Sequence, residues 1–358
     1  MCGICGFTGY RQDQKTVIER MMKAIEHRGP DSEGSFCREK ITLGFRRLSI
    51  IDLEDGQQPM ESADGNLHIV FNGEIYDYKE LRAELEAFGI SFCTHSDTEV
   101  LINTIQQYGE KALDKLRGMF GFAVWNEKEQ TLMLARDFFG IKPVYYAEID
   151  GHFVFASEIK SILAFPGYER KVNQKALEQY LSFQYSPLEE TFFRGIYKLM
   201  PGHMLLYKNG SYEIKTYFKP KLTPGQWNHK TNMAQLRSQL SEILKDSVKH
   251  HMLSDVEVGA FLSGGVDSGY LASSSGADQA FTVGFDEGDR YSEVNKAAKV
   301  AEKTGLKHHV KIISKQEFWD ALPDVMYHMD EPLADASAVA LYFLSKEAAG
   351  HVKVVLSG

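Results

Sequence analysis

Hydrophobic patterning changes character once along this chain of 358 residues, and that change limits the possible folds more than any other feature. Up to about residue 218 the apolar residues fall in short runs with turn-forming boundaries, at Ile41 to Phe45, Leu67 to Phe71, Phe120 to Trp125, Thr131 to Ala135, Val144 to Ala147 and Phe153 to Ala156. Helical spacing is clear only at Tyr78 to Phe88 and Thr98 to Tyr108, besides a helix ahead of His27. Many short strands and few helices predict an α+β domain with antiparallel sheets. From Met233 to His250 one helix carries Leu236, Leu240, Ile243, Leu244 and Val248 on one face. Strands at Val256 to Leu262, Phe281 to Phe285, His308 to Ile313 and Val352 to Leu356 then alternate with helices from Ser268, over Ser292 to Thr304, and from Glu317 and Ala336. That alternation predicts an α/β parallel sheet covered on both faces. The Lys, Pro, Gly and polar residues of Lys219 to Thr231 read as a linker, so the expected domains are 2–218 and 232–358.

With 43% hydrophobic and 25% charged residues the composition is that of a globular protein, and the net charge of −9 comes without a Lys/Arg-rich run. Nucleic acid and membrane surfaces are therefore not expected partners, and any small anion must be held by a local device. No apolar stretch approaches ~20 residues and no signal-peptide order opens the chain, so a cytoplasmic location is expected. Four cysteines, Cys2, Cys5, Cys37 and Cys93, suggest free thiols rather than a disulfide framework. A zinc ribbon needs a second close pair, which Cys37 and Cys93 do not form. If Cys2 to Tyr10 is a strand, Cys2 and Cys5 point to opposite faces and Cys5 is a packing residue.

The opening Met1-Cys2-Gly3-Ile4-Cys5-Gly6 places a cysteine directly after the initiator. Removal of Met1 would leave a thiol and a free α-amine on one residue. Their ordinary pKa values, roughly 8.5 and 8, let the amine serve as base to the sulfur without a histidine. Polar clusters follow in order: His27-Arg28-Gly29-Pro30-Asp31, Arg46-Arg47-Leu48-Ser49-Ile50-Ile51-Asp52, Asn72-Gly73-Glu74-Ile75-Tyr76 and His95-Ser96-Asp97-Thr98-Glu99. Each has an ordinary reading: a turn at Asn-Gly, an N-cap at Ser96 or Asp97, a solvated arginine pair.

Taken together, MCGI, HRGPD, RRLSIID, NGEIY and SDTEV resemble the glutaminase domain of the class II, N-terminal-nucleophile glutamine amidotransferases over roughly the first 210 residues. The resemblance implies a sandwich of antiparallel sheets between helices. It makes Cys2 the nucleophile on the glutamine amide, with Asn72 and Gly73 as the oxyanion hole. It pairs Arg47 with the α-carboxylate and Glu74 and Asp97 with the α-ammonium, and lines the pocket with Leu48, Ser49, Ile50 and Ile51. Residue chemistry agrees: Asn beside Gly offers one side-chain and one backbone donor to an oxyanion, and a guanidinium and carboxylates suit an amino-acid zwitterion.

In the second half, Ser263-Gly264-Gly265-Val266-Asp267-Ser268 sits where an apolar strand meets a helix, a turn whose N–H groups can converge on an anion. It lacks the Gly-Lys-Ser/Thr ending of a Walker A loop. It resembles the pyrophosphate loop of ATP pyrophosphatases, and the combination of both halves resembles the glutamine-hydrolysing asparagine synthetases. That resemblance implies ATP as cosubstrate, with adenosine contacts from Leu262 and Val283 and pyrophosphate contacts from Ser263, Gly264, Gly265 and Ser268. It further implies a magnesium ligand in Asp267 and ATP contacts from Ser357 and Gly358. Asp330, Glu331 and Asp335 are acidic enough for a second cation, or are simply helix-start acids beside Pro332. The family continues beyond LSG, so the sequence reads as the N-terminal part of a longer synthetase. A related ligase for another amide or a β-lactam, and a glutaminase fragment, are the alternatives; glutamine, aspartate and ATP are the expected small-molecule partners, and a homodimer is possible.

Overall fold

A computed structural model of the chain describes residues 1–221, 232–286 and 293–358. Most of the expected linker Lys219 to Thr231 lies outside these residues, as does Ser292, the expected start of a helix observed at Val294–Thr304. The chain divides into two compact units, Met1–Pro220 and Lys221–Gly358.

In the first unit the described strands are β1 (Gly3–Thr8), β2 (Ser32–Cys37), β3 (Ile41–Arg47), β4 (Met60–Glu61), β5 (Leu67–Ile75), β6 (Gly118–Asn126), β7 (Thr131–Arg136), β8 (Tyr145–Ile149), β9 (His152–Ala156), β10 (Ile196–Lys198), β11 (His203–Lys208) and β12 (Ser211–Thr216). Helices α1 (Gln14–Ala24), α2 (Tyr78–Ala87), α3 (Asp97–Tyr108), α4 (Ile159–Leu163) and α5 (Gln174–Phe183) accompany them. The strands form two antiparallel sheets, ordered β10-β8-β9-β1-β3-β2 and β12-β11-β7-β6-β5-β4. Side chains of both sheets interlock between them, with Ile4, Leu43, Phe45 and Phe155 meeting Val70, Trp125 and Leu134. The outer face of the first sheet carries Cys5, Phe7 and Val154 against Val17, Ile18 and Met21 of α1 and Ile159 and Ile162 of α4. Helix α3 packs on β5 across the outer face of the second sheet. The result is a four-layer sandwich of sheets between helices, and the alternation along β1 sends Ile4 inward and Cys5 outward.

Five of the described strands have no counterpart among the expected runs: β2, β4, β10 and β12 are the edge strands of the two sheets and are short or rich in polar side chains, whereas β11 lies inside its sheet. The Asn-Gly of β5 is no turn: Asn72 pairs with Gly121 and Gly73 with Phe120 inside one continuous ladder. Tertiary pairing outweighs the local turn preference here.

The second unit holds α6 (Met233–His251), β13 (Val258–Phe261), α7 (Val266–Ser275), β14 (Gln279–Phe285), α8 (Val294–Thr304), β15 (Lys307–Ile313), α9 (Lys315–Asp320), α10 (Leu322–Met329), α11 (Ser337–Ala349) and β16 (Val354–Leu356). Its four described strands pair in parallel in the order β15-β14-β13-β16. Ala260 and Leu262 face Ala272 of α7 and Ala297 of α8, whereas Phe261 and Phe281 face Ala348 of α11, so both sheet faces are covered. Among the described residues no helix is long and apolar enough to cross a membrane.

The layers set the thiol chemistry. All four cysteines are free; Cys5 is fully buried, and burial pushes its thiol up to about 12, whereas Cys93 is exposed. In native protein at pH 8 a thiol reagent should modify Cys93 quickly and Cys5 only after unfolding, because about one part in ten thousand of Cys5 would be thiolate even if it were reachable. Peptide mapping that finds Cys5 labelled as fast as Cys93 would contradict the packing of β1.

Candidate active site

Cys2 shares the inward face of β1 with Ile4 and packs at the margin of the inter-sheet core. Its backbone is tied down from outside the strand. Arg28 Nε donates to the Cys2 carbonyl oxygen at 2.8 Å, and Arg28 Nη1 pairs with Glu158 Oε1 at 2.8 Å. Glu158 also takes Lys160 and, at 2.9 Å, His27 Nε2. Two further bonds clamp Ile4, two residues on: Ile4 N–H to Ser157 Oγ at 3.0 Å and Ser157 N–H to Ile4 O at 2.8 Å. The Cys2 sulfur meets the Leu48 backbone, accepting from its N–H at 3.4 Å and directing the thiol to its carbonyl at 3.5 Å. Burial raises the thiol above its ordinary value.

One pocket is lined by Cys2, Arg47, Leu48, Ile50, Ile51, Asn72, Gly73, Glu74 and Asp97, from β1, β3, β5, the loop after β3 and the start of α3. Of the residues expected there, Ser49 alone does not line it, since its N–H donates outward to Asp31 Oδ2 at 2.9 Å. Asn72 is 1% exposed, and its Nδ2 has no hydrogen-bond partner among the described residues. A buried amide donor left unpaired is costly unless a ligand uses it. Gly73 leaves no space for a side chain, because a Cβ there would lie 2.1 Å from the Met119 carbonyl oxygen.

The arginine pair is not solvated. Arg46 and Arg47 are 6% and 4% exposed, and the Arg47 guanidinium gathers the carbonyls of Ile51, Asp52 and Leu53, pinning the loop over the pocket. Ser96 caps α3 by accepting from Thr98 N–H at 3.1 Å, which frees Asp97 to accept from Ile75 N–H at 3.0 Å. Burial raises Asp97 to about 6 despite that bond, and burial followed by the charge of Asp97 raises Glu74 to about 7. Two carboxylates held this way favour a cation between them.

Sequence reasoning assigned no role to Arg28, although it lies in a quoted motif, and passed over Glu158, Lys160 and Lys142. A charged Glu-Ile-Lys directly after an apolar strand was the available signal for Glu158 and Lys160; nothing local distinguishes Lys142.

In the second unit a cavity of about 460 Å³ opens at the carboxyl ends of β13, β14 and β16, where ligands commonly bind in open parallel sheets. Leu262, Ser263, Ser268, Val283, Ser357 and Gly358 line it. Gly264, Gly265 and Asp267 stand on the adjoining turn rather than in its lining. That turn is organised by serines: Ser263 and Ser268 hydroxyls lie 2.9 Å apart, and Gly265 N–H donates to Ser263 Oγ at 3.3 Å. Gly264 adopts φ +78° with its α-carbon face against α8, where a Cβ would sit 2.9 Å from Ala297 N. Gly265 begins α7 without a side-chain cap. Asp335 Oδ1 accepts from Ser337 N–H at 2.9 Å, the helix-start role, and neither it nor Asp330 nor Glu331 lines the cavity.

A family profile described as a glutamine amidotransferase domain matches residues 1–218, and one described as asparagine synthase matches residues 239–358. Asparagine synthetase [glutamine-hydrolyzing] 1 of Bacillus subtilis is 44% identical over 99% of this chain and 57% of its own length. A Methanocaldococcus jannaschii protein given the asparagine synthetase designation provisionally is 33% identical over 100% of this chain and 74% of its own. Amidase chry2 of Gibberella zeae is 31% identical over 100% of this chain and 58% of its own. The chain thus spans less than three fifths of the Bacillus and Gibberella relatives.

The Glu158 cluster makes a pH-resolved prediction. Burial alone would raise this carboxyl, but His27, Arg28 and Lys160 together hold it down at about 2. A depressed folded value stabilises above the ordinary 4.5 and is lost as pH falls through 2. Glu158→Gln, which strands two buried cations, should cost roughly 3 kcal/mol at pH 7. Denaturant melts should show that difference shrinking between pH 4.5 and 2; a pH-independent difference would mean the cluster contributes only packing.

Proposed function

The chain belongs to the glutamine-hydrolysing asparagine synthetase family, and we propose that its first unit releases ammonia from glutamine while its second activates aspartate with ATP, so that the whole makes asparagine. The observation that carries the reading is the buried, unpartnered Asn72 amide sharing a pocket with Cys2.

With Met1 removed, Cys2 would present amine and thiol together. An α-amine ordinarily titrates at ~8, so a fraction of it is neutral at pH 7 and able to accept the thiol proton. The sulfur then attacks the amide carbon of glutamine. Negative charge moves to the carbonyl oxygen, which Asn72 Nδ2 and the Gly73 N–H would stabilise, a contribution of ~3 to 4 kcal/mol per donor in comparable sites. Collapse expels ammonia with the proton held by the amine, and water releases glutamate from the thioester. Arg47, Glu74 and Asp97 would hold the zwitterion of the substrate.

In the second unit, the β-carboxylate of aspartate attacks the α-phosphorus of ATP, pyrophosphate leaves, and ammonia displaces AMP from the acyl adenylate. The uncapped start of α7 and the Ser263, Gly264, Gly265 and Ser268 turn suit a pyrophosphate. Asp267 stands in the first turn of α7 and accepts no hydrogen bond among the described residues, which fits a single carboxylate ligand to magnesium, the ion that neutralises phosphate charge. A second reading, a ligase with a different acceptor acid, draws support from the amidase name of the Gibberella relative. Isotopically labelled aspartate supplied with ATP and glutamine to the whole protein separates them: labelled asparagine is expected, whereas glutamate release with unlabelled amide products would favour the other acceptor.

Kinetics test the first pocket. Cys2→Ser should abolish glutamine hydrolysis, and Asn72→Ala should lower kcat by about a hundredfold or more with little change in KM. Arg47→Ala and Asp97→Ala should act mainly on KM. Because the substrate ammonium needs ionised carboxylates, KM for glutamine should rise as pH falls below about 7, the value of Glu74. A change of KM alone in Asn72→Ala would refute its assigned role.

A further inference from the structure

Lys142 is 5% exposed, lines the same pocket as Cys2 and Glu74, and its ammonium makes no hydrogen bond or ion pair with any described residue. Its backbone is fixed from both sides. Asp137 Oδ2 accepts from Lys142 N–H at 2.8 Å while Oδ1 accepts from Phe139 and Ile141 N–H at 3.1 and 2.9 Å. Arg136 Nε donates to the Lys142 carbonyl at 2.9 Å and Arg136 Nη2 to that of Gly140 at 2.7 Å. The loop is thus a rigid bracket that presents one long cation into a buried site.

An ammonium that enters a narrow pocket on a largely buried side chain without a bonded partner is costly, and a fold holds one only where other charges repay it. The groups facing it are Glu74 from β5, Cys2 and the chain's α-amine at the start of β1, Arg28 from the turn after α1, and Asp137 of its own loop. Glu74 and the Cys2 sulfur favour its charge; Arg28 and desolvation oppose it.

We propose that Lys142 is the counter-charge of the thiol pocket, a positioning residue that neutralises Glu74 and stabilises negative charge on the Cys2 sulfur. This deepens the proposed glutaminase reading and rests on it for its purpose. In that reaction Lys142 transfers no proton; it biases the pocket electrostatically toward a sulfur that has given its proton up, and lets Glu74 meet the substrate ammonium without repelling the sulfur.

The test needs no glutamine. Alkylation of Cys2 by iodoacetamide is followed against pH by mass spectrometry of the N-terminal peptide, in the full chain and its variants. Lys142→Met should move the Cys2 midpoint upward by roughly one pH unit, and Lys142→Arg by a few tenths at most, with the Cys37 and Cys93 profiles unchanged. Glu74→Gln should move it downward, and the double change Glu74→Gln with Lys142→Gln, which removes a neutral pair, should return it near the original value. In parallel, kcat/KM for glutamine should fall tenfold or more in Lys142→Met and recover in large part in Lys142→Arg. Superimposable Cys2 profiles in Lys142→Met, or no downward shift in Glu74→Gln, overturn the assignment; the second comparison decides if the first variant does not fold. Shifted alkylation without glutaminase activity would refute the proposed reaction and leave the counter-charge standing, and activity without the shift would do the reverse.

Discussion

One hydrogen bond, from Arg28 Nε to the Cys2 carbonyl, holds the end of β1 where the first site needs it. A residue at the start of a strand is free to fray, and a thiol there would sample many positions. Arg28 can hold it because Glu158 holds Arg28, and Glu158 is in turn fixed by Lys160 and His27. The cluster is largely desolvated, so its members depend on one another: each charge is tolerable only while its partners are present. The paired bonds between Ile4 and Ser157 extend the same clamp along the chain.

Given that anchor, sheet geometry supplies the rest. Alternation along β1 turns Cys2 and Ile4 toward the gap between the sheets, and β5 on the facing sheet delivers Asn72, Gly73 and Glu74 on consecutive positions. Their side chains would ordinarily alternate faces, and Gly73 lets the middle position contribute its backbone alone. Arg47 closes the third side by drawing the loop after β3 inward through three carbonyl groups. Hydrogen bonds therefore brace the pocket, which suits the oxyanion donors proposed for it.

The second unit uses a different principle. There the turn proposed to hold an anion is organised by two serine hydroxyls, and its following helix starts without a cap. An anion there would meet peptide dipoles rather than buried charged side chains.

Much of this was legible in residue order. Short apolar runs between turns, and then strands alternating with helices, marked antiparallel and parallel architectures, because a sheet with one face on a helix and one on another sheet leaves apolar runs of strand length. Cys2, Arg47, Asn72, Glu74 and Asp97 could be expected in one pocket because the compact motifs that hold them, taken together, resemble a known glutaminase domain, and they do line one pocket. What the sequence could not show was distance. Whether Asn72-Gly73 is a turn or a strand, whether Arg46 and Arg47 face water or the core, and which lysine enters the thiol pocket depend on partners elsewhere in the chain, from Ile51 for Arg47, 4 residues away, to Glu158 for Arg28, 130 away. Lys142 has the local look of any loop lysine; only the bracket of Arg136 and Asp137 and the burial around it turn it inward. Chemical types and periodicity are written in the chain, whereas desolvation and counter-charge exist only once the sheets have packed, because both are properties of the space between residues.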